Sequence, residues 1–170
     1  ESKGDTKETP DGKKILPSYG SMSYAGLMAF LYAGVDKDDP RVKAAVGWIK
    51  NHWTLDENPG LRGDREEKFG RQGLYYYYYT FAKAMTAYGE KEIETPDGAR
   101  HDWAAELTAK LIGLQAADGS WSNNADRWEE GVKTLVTSYS VMALNLAVGP
   151  EAIPTPAPAA PPAAEKKGGN

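Results

Sequence analysis

Apolar residues along this chain collect into five runs separated by charged or glycine-rich breaks. Residues 23–34 (SYAGLMAFLYAG), 78–89 (YYTFAKAMTAYG) and 138–149 (SYSVMALNLAVG) are apolar around most of a helical circumference, the pattern of a helix enclosed by neighbours. They align on their last residues, Gly34, Gly89 and Gly149, where a helix C-terminus favours glycine. Each carries tyrosine at its second position: Tyr24, Tyr79 and Tyr139. The spacing of the aligned segments, about 55–60 residues, marks a repeat architecture.

Two amphipathic runs alternate with these three. Residues 40–53 (PRVKAAVGWIKNHW) follow Asp39, a suitable N-cap, and open with Pro40, which fits a first helical turn. Val42, Val46, Ile49 and Trp53 recur at helical spacing. Residues 101–115 set Trp103, Leu107, Leu111 and Leu114 against Glu106 and Lys110. The order reads inner, outer, inner, outer, inner. This predicts an all-α chain of about five helices with no convincing strand. The tyrosine run at 75–79 favours a strand by propensity, but its repeat register places it in a helix.

The second outer run ends in LIGLQAADGSW (111–121). Gln115 is placed to satisfy loose backbone groups at the helix end, Asp118-Gly119 turns the chain, and Trp121 folds back as an apolar cover. This Gln-x-x-Asp-Gly-x-Trp pattern resembles the QW repeat of squalene–hopene cyclases and of protein prenyltransferase β subunits. The first outer run carries a degraded copy, with His52 at the place of Gln115 and DENPG (56–60) at the place of Asp118-Gly119. The resemblance implies an α/α toroid, a ring of paired inner and outer helices, in which Gln115, Asp118, Gly119 and Trp121 are structural. Five helices make about half of such a ring. The chain, which begins with Glu1, is therefore expected to be an open arc and the C-terminal part of a longer protein. Missing upstream repeats or a second copy would complete the ring.

Composition sets the limits of the folded unit. Residues 1–14 alternate charge and hold no large apolar side chain. Residues 150–170 contain six of the eleven prolines, with alanines between them. Neither end can bury enough apolar surface to offset its ordering entropy, so both are expected to be disordered around a repeat domain at 15–149. A net charge of −4 without a basic stripe argues against nucleic acid. No apolar run approaches the length of a membrane span. The charge-mixed start is not a signal peptide. The compartment stays open, and a leader lost upstream would make the chain extracytoplasmic. The absence of cysteine excludes disulfides and thiolate metal sites.

The candidate chemistry is sparse. DKDD (36–39) matches the letters of the D-x-D-D acid of hopene cyclases, but it follows an inner helix and runs into Pro40. It reads as a solvated loop with Asp39 as a cap, which leaves a cyclase acid to be sought upstream. The zinc of prenyltransferases needs a cysteine this chain lacks, and His52 and His101, on the two predicted outer helices, read as surface or helix-end residues. No metal and no cofactor are expected. Residues 60–72 (GLRGDREEKFGRQ) form a long connection whose Arg62, Asp64, Arg65 and Arg71 read as a rim loop with internal ion pairs, or as an anion or partner site. Five tyrosines at 75–79 point all round a helix and cannot share one ligand. Tyr75, Tyr78, Tyr79, Tyr24, Tyr139 and Lys83 are the expected lining of a concave face. Lys83 takes the place of Met28 and Ala143 in the aligned repeats. The function expected is a non-catalytic repeat domain that binds a peptide or apolar ligand. The alternatives are a part of a squalene–hopene-type polyprenyl cyclase with its acid upstream, and a structural spacer in a secreted or envelope protein.

Overall fold

The computed structural model describes residues 7–149, of Lys7 only the backbone. The fold is mostly α-helical, as the periodicity predicts. Five helices have 12 to 16 residues: α1 (Gly20–Tyr32), α2 (Pro40–Asn51), α4 (Leu74–Tyr88), α5 (Trp103–Leu114) and α6 (Lys133–Val148). A single turn, α3 (Glu67–Gly70), interrupts the connection between α2 and α4. α4 lies between α1 and α6 and packs on both. α2 packs on α1, and α5 packs on α6 and touches α4.

The alternation of enclosed and amphipathic runs accounts for this layering. α4 is the most enclosed helix, with Leu74, Tyr77, Tyr78, Phe81 and Met85 buried on one side. Phe81 sits where the layers meet: its ring lies 4.9 Å from Tyr24 of α1, 5.4 Å from Trp53 and 6.2 Å from Trp103 of α5. The amphipathic helices bury the residues that recur at helical spacing, Val42, Val46 and Ile49 on α2, and Trp103, Leu107 and Leu111 on α5. Gly89 ends α4 at φ 75°, the left-handed conformation that lets its N–H reach the Met85 carbonyl at 3.0 Å. Gly34 and Gly149 adopt almost the same φ, 74° and 76°, after α1 and α6.

Two antiparallel hairpins correct the strandless expectation. β1 (Lys7–Glu8) pairs with β2 (Lys14–Ile15), and β3 (Glu92–Glu94) pairs with β4 (Arg100–Asp102). Both turn through the same tetrapeptide, Thr-Pro-Asp-Gly, at 9–12 and 95–98. In each, the threonine N–H donates to the carbonyl four residues on (Lys13 and Ala99, both 2.9 Å) and the glycine N–H returns to the threonine carbonyl. The threonine hydroxyl donates to the aspartate, Thr95 to Asp97 at 2.6 Å and Thr9 to Asp11. Proline at the first turn position and glycine with positive φ fit this turn, so the pattern was present in the sequence as a turn signal. Residues 7–14 are thus ordered in part as a hairpin. The disorder expected for 1–6 and 150–170 lies outside the described residues. His101 belongs to β4 rather than to an outer helix, because Asp102 caps α5 one residue later by accepting the Ala105 N–H at 3.0 Å.

Candidate functional site

The five consecutive tyrosines of α4 divide among three surroundings. Tyr77 and Tyr78 are fully buried and donate to the Thr54 and Leu55 carbonyls, in the segment just after α2, at 2.7 and 2.6 Å. Tyr24 packs on Tyr77 and Phe81 and hydrogen-bonds Tyr77. Since the single proton of Tyr77 goes to Thr54, Tyr24 donates to Tyr77. Burial pushes the Tyr24, Tyr77 and Tyr78 phenols far up. Tyr24 and Tyr78, expected on a ligand face, are instead core residues with satisfied hydroxyls.

Tyr76 and Tyr79 take the opposite side of α4, away from α2 and α5. Their rings meet Tyr139 of α6 at 5.8 Å, edge-on, and at 5.9 Å, stacked. The Lys83 ammonium lies 5.3 Å from the Tyr79 ring centre, within cation–π range. Tyr79, Lys83 and Tyr139 are half-buried and Tyr76 is 39 % exposed. The structure thus brings together three of the expected residues, Tyr79, Lys83 and Tyr139, and adds Tyr76. Tyr24 and Tyr79 each meet a ring of the next helix in their layer, Tyr77 and Tyr139 respectively. Tyr75 separates from this group and borders a cleft near the start of α4.

Residues that sequence reasoning missed hold the starts of α1 and α4. Neither helix has a side-chain cap of its own. The buried Glu130 carboxylate accepts the Tyr75 and Tyr76 N–H groups on Oε1 (3.0 and 2.9 Å) and Asn123 Nδ2 on Oε2 (2.6 Å). Asn123 Nδ2 also donates to the Arg71 carbonyl at 2.7 Å. The preceding Glu129 adopts φ 62°, a left-handed conformation rare outside glycine, and this turn aims Glu130 inward. Burial raises the Glu130 carboxyl above its ordinary value, against the lowering effect of its hydrogen bonds. Asn58 does the same for α1, accepting the Ser21 N–H at 2.9 Å and donating to Ser21 Oγ at 3.2 Å. No local pattern announces these caps, since the partners are 37 to 55 residues apart.

The Gln-x-x-Asp-Gly-x-Trp segment folds on itself. Gln115 Nε2 donates to the Gly119 carbonyl at 2.9 Å, Asp118 accepts the Ser120 N–H at 3.0 Å and pairs with Lys133 at 2.8 Å, and Gly119 has φ 81°. Trp121 is 3 % exposed, and its Nε1 donates to the Leu111 carbonyl at 2.8 Å.

The other candidates have structural surroundings. Asp39 caps α2 by accepting the Arg41 N–H at 2.8 Å, and the Arg41 side chain on the same carboxylate lowers it to about 2. Asp38 pairs with Lys43 at 2.8 Å, which lowers its pKa. His52 ends α2, with Nδ1 2.8 Å from the Trp48 carbonyl and its ring stacked on Trp48 at 4.1 Å. His101 Nδ1 is 2.8 Å from Glu106. In the 60–72 connection, Arg71 pairs with Glu67 at 2.5 Å, Arg65 donates to the Leu61 carbonyl and packs over Phe69, and Asp64 is exposed. Among the described residues no group of three His, Cys, Asp or Glu is placed to hold a metal ion. No helix among them is long and apolar enough to cross a membrane.

A mostly helical protein with a partly exposed tyrosine–lysine face is what the fold and geometry define. No protein-family model, curated protein or solved structure matches the chain.

Proposed function

We propose that the chain is an arc of an α/α toroid related to the prenyltransferase and squalene-cyclase repeat proteins, and that it is a non-catalytic domain binding a peptide or apolar ligand. The ligand lies on the face formed by Tyr76, Tyr79, Lys83 and Tyr139. The observation that carries this reading is the ring contact of three incompletely buried tyrosines from two neighbouring helices, with an ammonium over one of them. Phenol rings offer large rigid contact area at low entropic cost, and a polar tip to orient a ligand. The repeated glycine ends support the arc.

A cyclase would need a carboxylic acid held protonated by a raised pKa. Asp38 and Asp39 are lowered by their cationic partners, so DKDD does not supply such an acid. Mass spectrometry of lipids and peptides retained on the purified protein tests the proposal. Tyr79→Ala with Tyr139→Ala should deplete the retained species. A double variant that keeps the parent's retained set would refute the proposed face, and a parent that retains nothing would favour the spacer role.

A further inference from the structure

We propose that the cleft bordered by Tyr75 is a second ligand site, and that it takes the carboxylate of a small organic acid or of a peptide C-terminus. The cleft has a volume of about 1100 Å3 and lies between the α2–α3 connection, α3 and the segment after α5. It is independent of the Tyr79–Tyr139 face, and neither site depends on the other.

Two groups in it keep hydrogen-bonding capacity that no described residue takes up. Tyr75 is 3 % exposed, yet its hydroxyl makes no hydrogen bond to any described residue, unlike Tyr77 and Tyr78 beside it. No fully buried side-chain nitrogen or oxygen among the described residues lacks a partner, so the accessible part of Tyr75 includes its oxygen, at the cleft. Burial and the charge of Glu130 push this phenol up to about 12, which keeps it a donor through neutral and alkaline pH. Arg62 lines the same cleft with no carboxylate of the described residues in ion-pair range; its Nε only reaches the Arg65 carbonyl at 3.4 Å. The other three basic residues on the lining are paired, Lys68 with Glu66 at 2.9 Å, Lys110 with Asp56 at 2.6 Å and Arg71 with Glu67.

A phenol donor and a guanidinium with no carboxylate partner among the described residues match a planar carboxylate, which a guanidinium can hold with two parallel bonds. A phosphate dianion fits worse. Asp56, Glu57 and Glu67 on the walls repel the extra charge, and Glu130 already occupies the N–H groups of Tyr75 and Tyr76 at the start of α4. Leu74 and Leu114 on the lining offer apolar surface to the rest of such a ligand.

Calorimetric titration of the full chain with hexanoate and with the tripeptide Gly-Leu-Leu, each against its C-terminal amide, tests this. At least one acid should bind at millimolar concentration and its amide about tenfold more weakly or not at all. Which acid binds assigns the source of the carboxylate. Arg62→Gln and Tyr75→Phe should each weaken the acid about tenfold. Tyr75→Phe should leave the melting temperature unchanged, because the hydroxyl has no partner among the described residues, and Arg62→Gln is an exposed change that controls for folding. Equal binding of acid and amide, no binding of either acid, or unaltered binding in both variants would overturn the site.

Discussion

Glu130 reaches across 54 positions of sequence to accept the Tyr76 N–H at 2.9 Å, and so supplies α4 with the cap its own N-terminal residues do not provide. The same oxygen holds the Tyr75 N–H. A carboxylate here also meets the positive end of the helix dipole. Glu130→Ala should therefore destabilise the fold by about 2 kcal/mol, the upper range of a lost cap, because two N–H groups are left without acceptors. Urea denaturation checks this, and an unchanged midpoint would show that α4 does not rely on Glu130.

The pH dependence of Glu130 has a definite sign. Its folded pKa is raised above the ordinary 4.5, so ionisation costs the folded state more than the unfolded chain: the protonation-linked part of its contribution is fully present below that value and is lost as pH rises through the folded pKa, while the capping hydrogen bonds remain. Glu130→Gln has no such loss. The melting temperature of Glu130→Gln relative to the parent should rise between about pH 4 and pH 7. A difference that stays flat over this range, or moves the other way, would contradict the burial effect.

Trp121 combines ring burial with one hydrogen bond to the end of α5. Trp121→Ala should cost about 3–5 kcal/mol through the cavity it leaves. Trp121→Phe keeps most of the ring but abandons the Leu111 carbonyl, a net loss of about 1 kcal/mol for the bond beyond the smaller change in packing. Calorimetric unfolding of the two variants separates packing from bonding.

The DKDD carboxylates should behave as loop residues. Asp36→Asn and Asp38→Asn should leave binding and folding as they are. Asp39→Ala should lower the melting temperature by removing the α2 cap. The Asp39 pKa is depressed to about 2, so its stabilisation is present above the ordinary carboxylate value of 3.8 and disappears as pH falls toward 2. Loss of ligand binding in Asp38→Asn with folding intact would instead place this loop in the functional site.

Lys83 faces the tyrosine cluster from a position where the aligned repeats carry Met28 and Ala143. Lys83→Met should change the set of ligands retained by the protein far more than its melting temperature, since methionine fits the half-buried stem and removes only the ammonium. An equal retained set in the variant would remove Lys83 from the face.

Helix identity was legible because a run with a 3.6-residue apolar period has one low-energy way to bury that surface. Asp39 with Pro40, and the glycines after α1, α4 and α6, fixed helix ends by local chemistry that needs no distant partner. The Thr-Pro-Asp-Gly hairpins were equally local, and were overlooked because their strands have only two or three residues, too short for an alternation to register. Tertiary structure alone decided which way each tyrosine of α4 faces. Five consecutive tyrosines are alike in hydropathy and point all round the helix, so Tyr78 entered the core and Tyr79 the open face according to which neighbour, the α2 end or α6, lay on that side. It alone decided that Glu130 and Asn58 would cap helices far away in sequence. A buried polar residue is stable only with its partners, and those partners are brought to it by the packing of the whole chain.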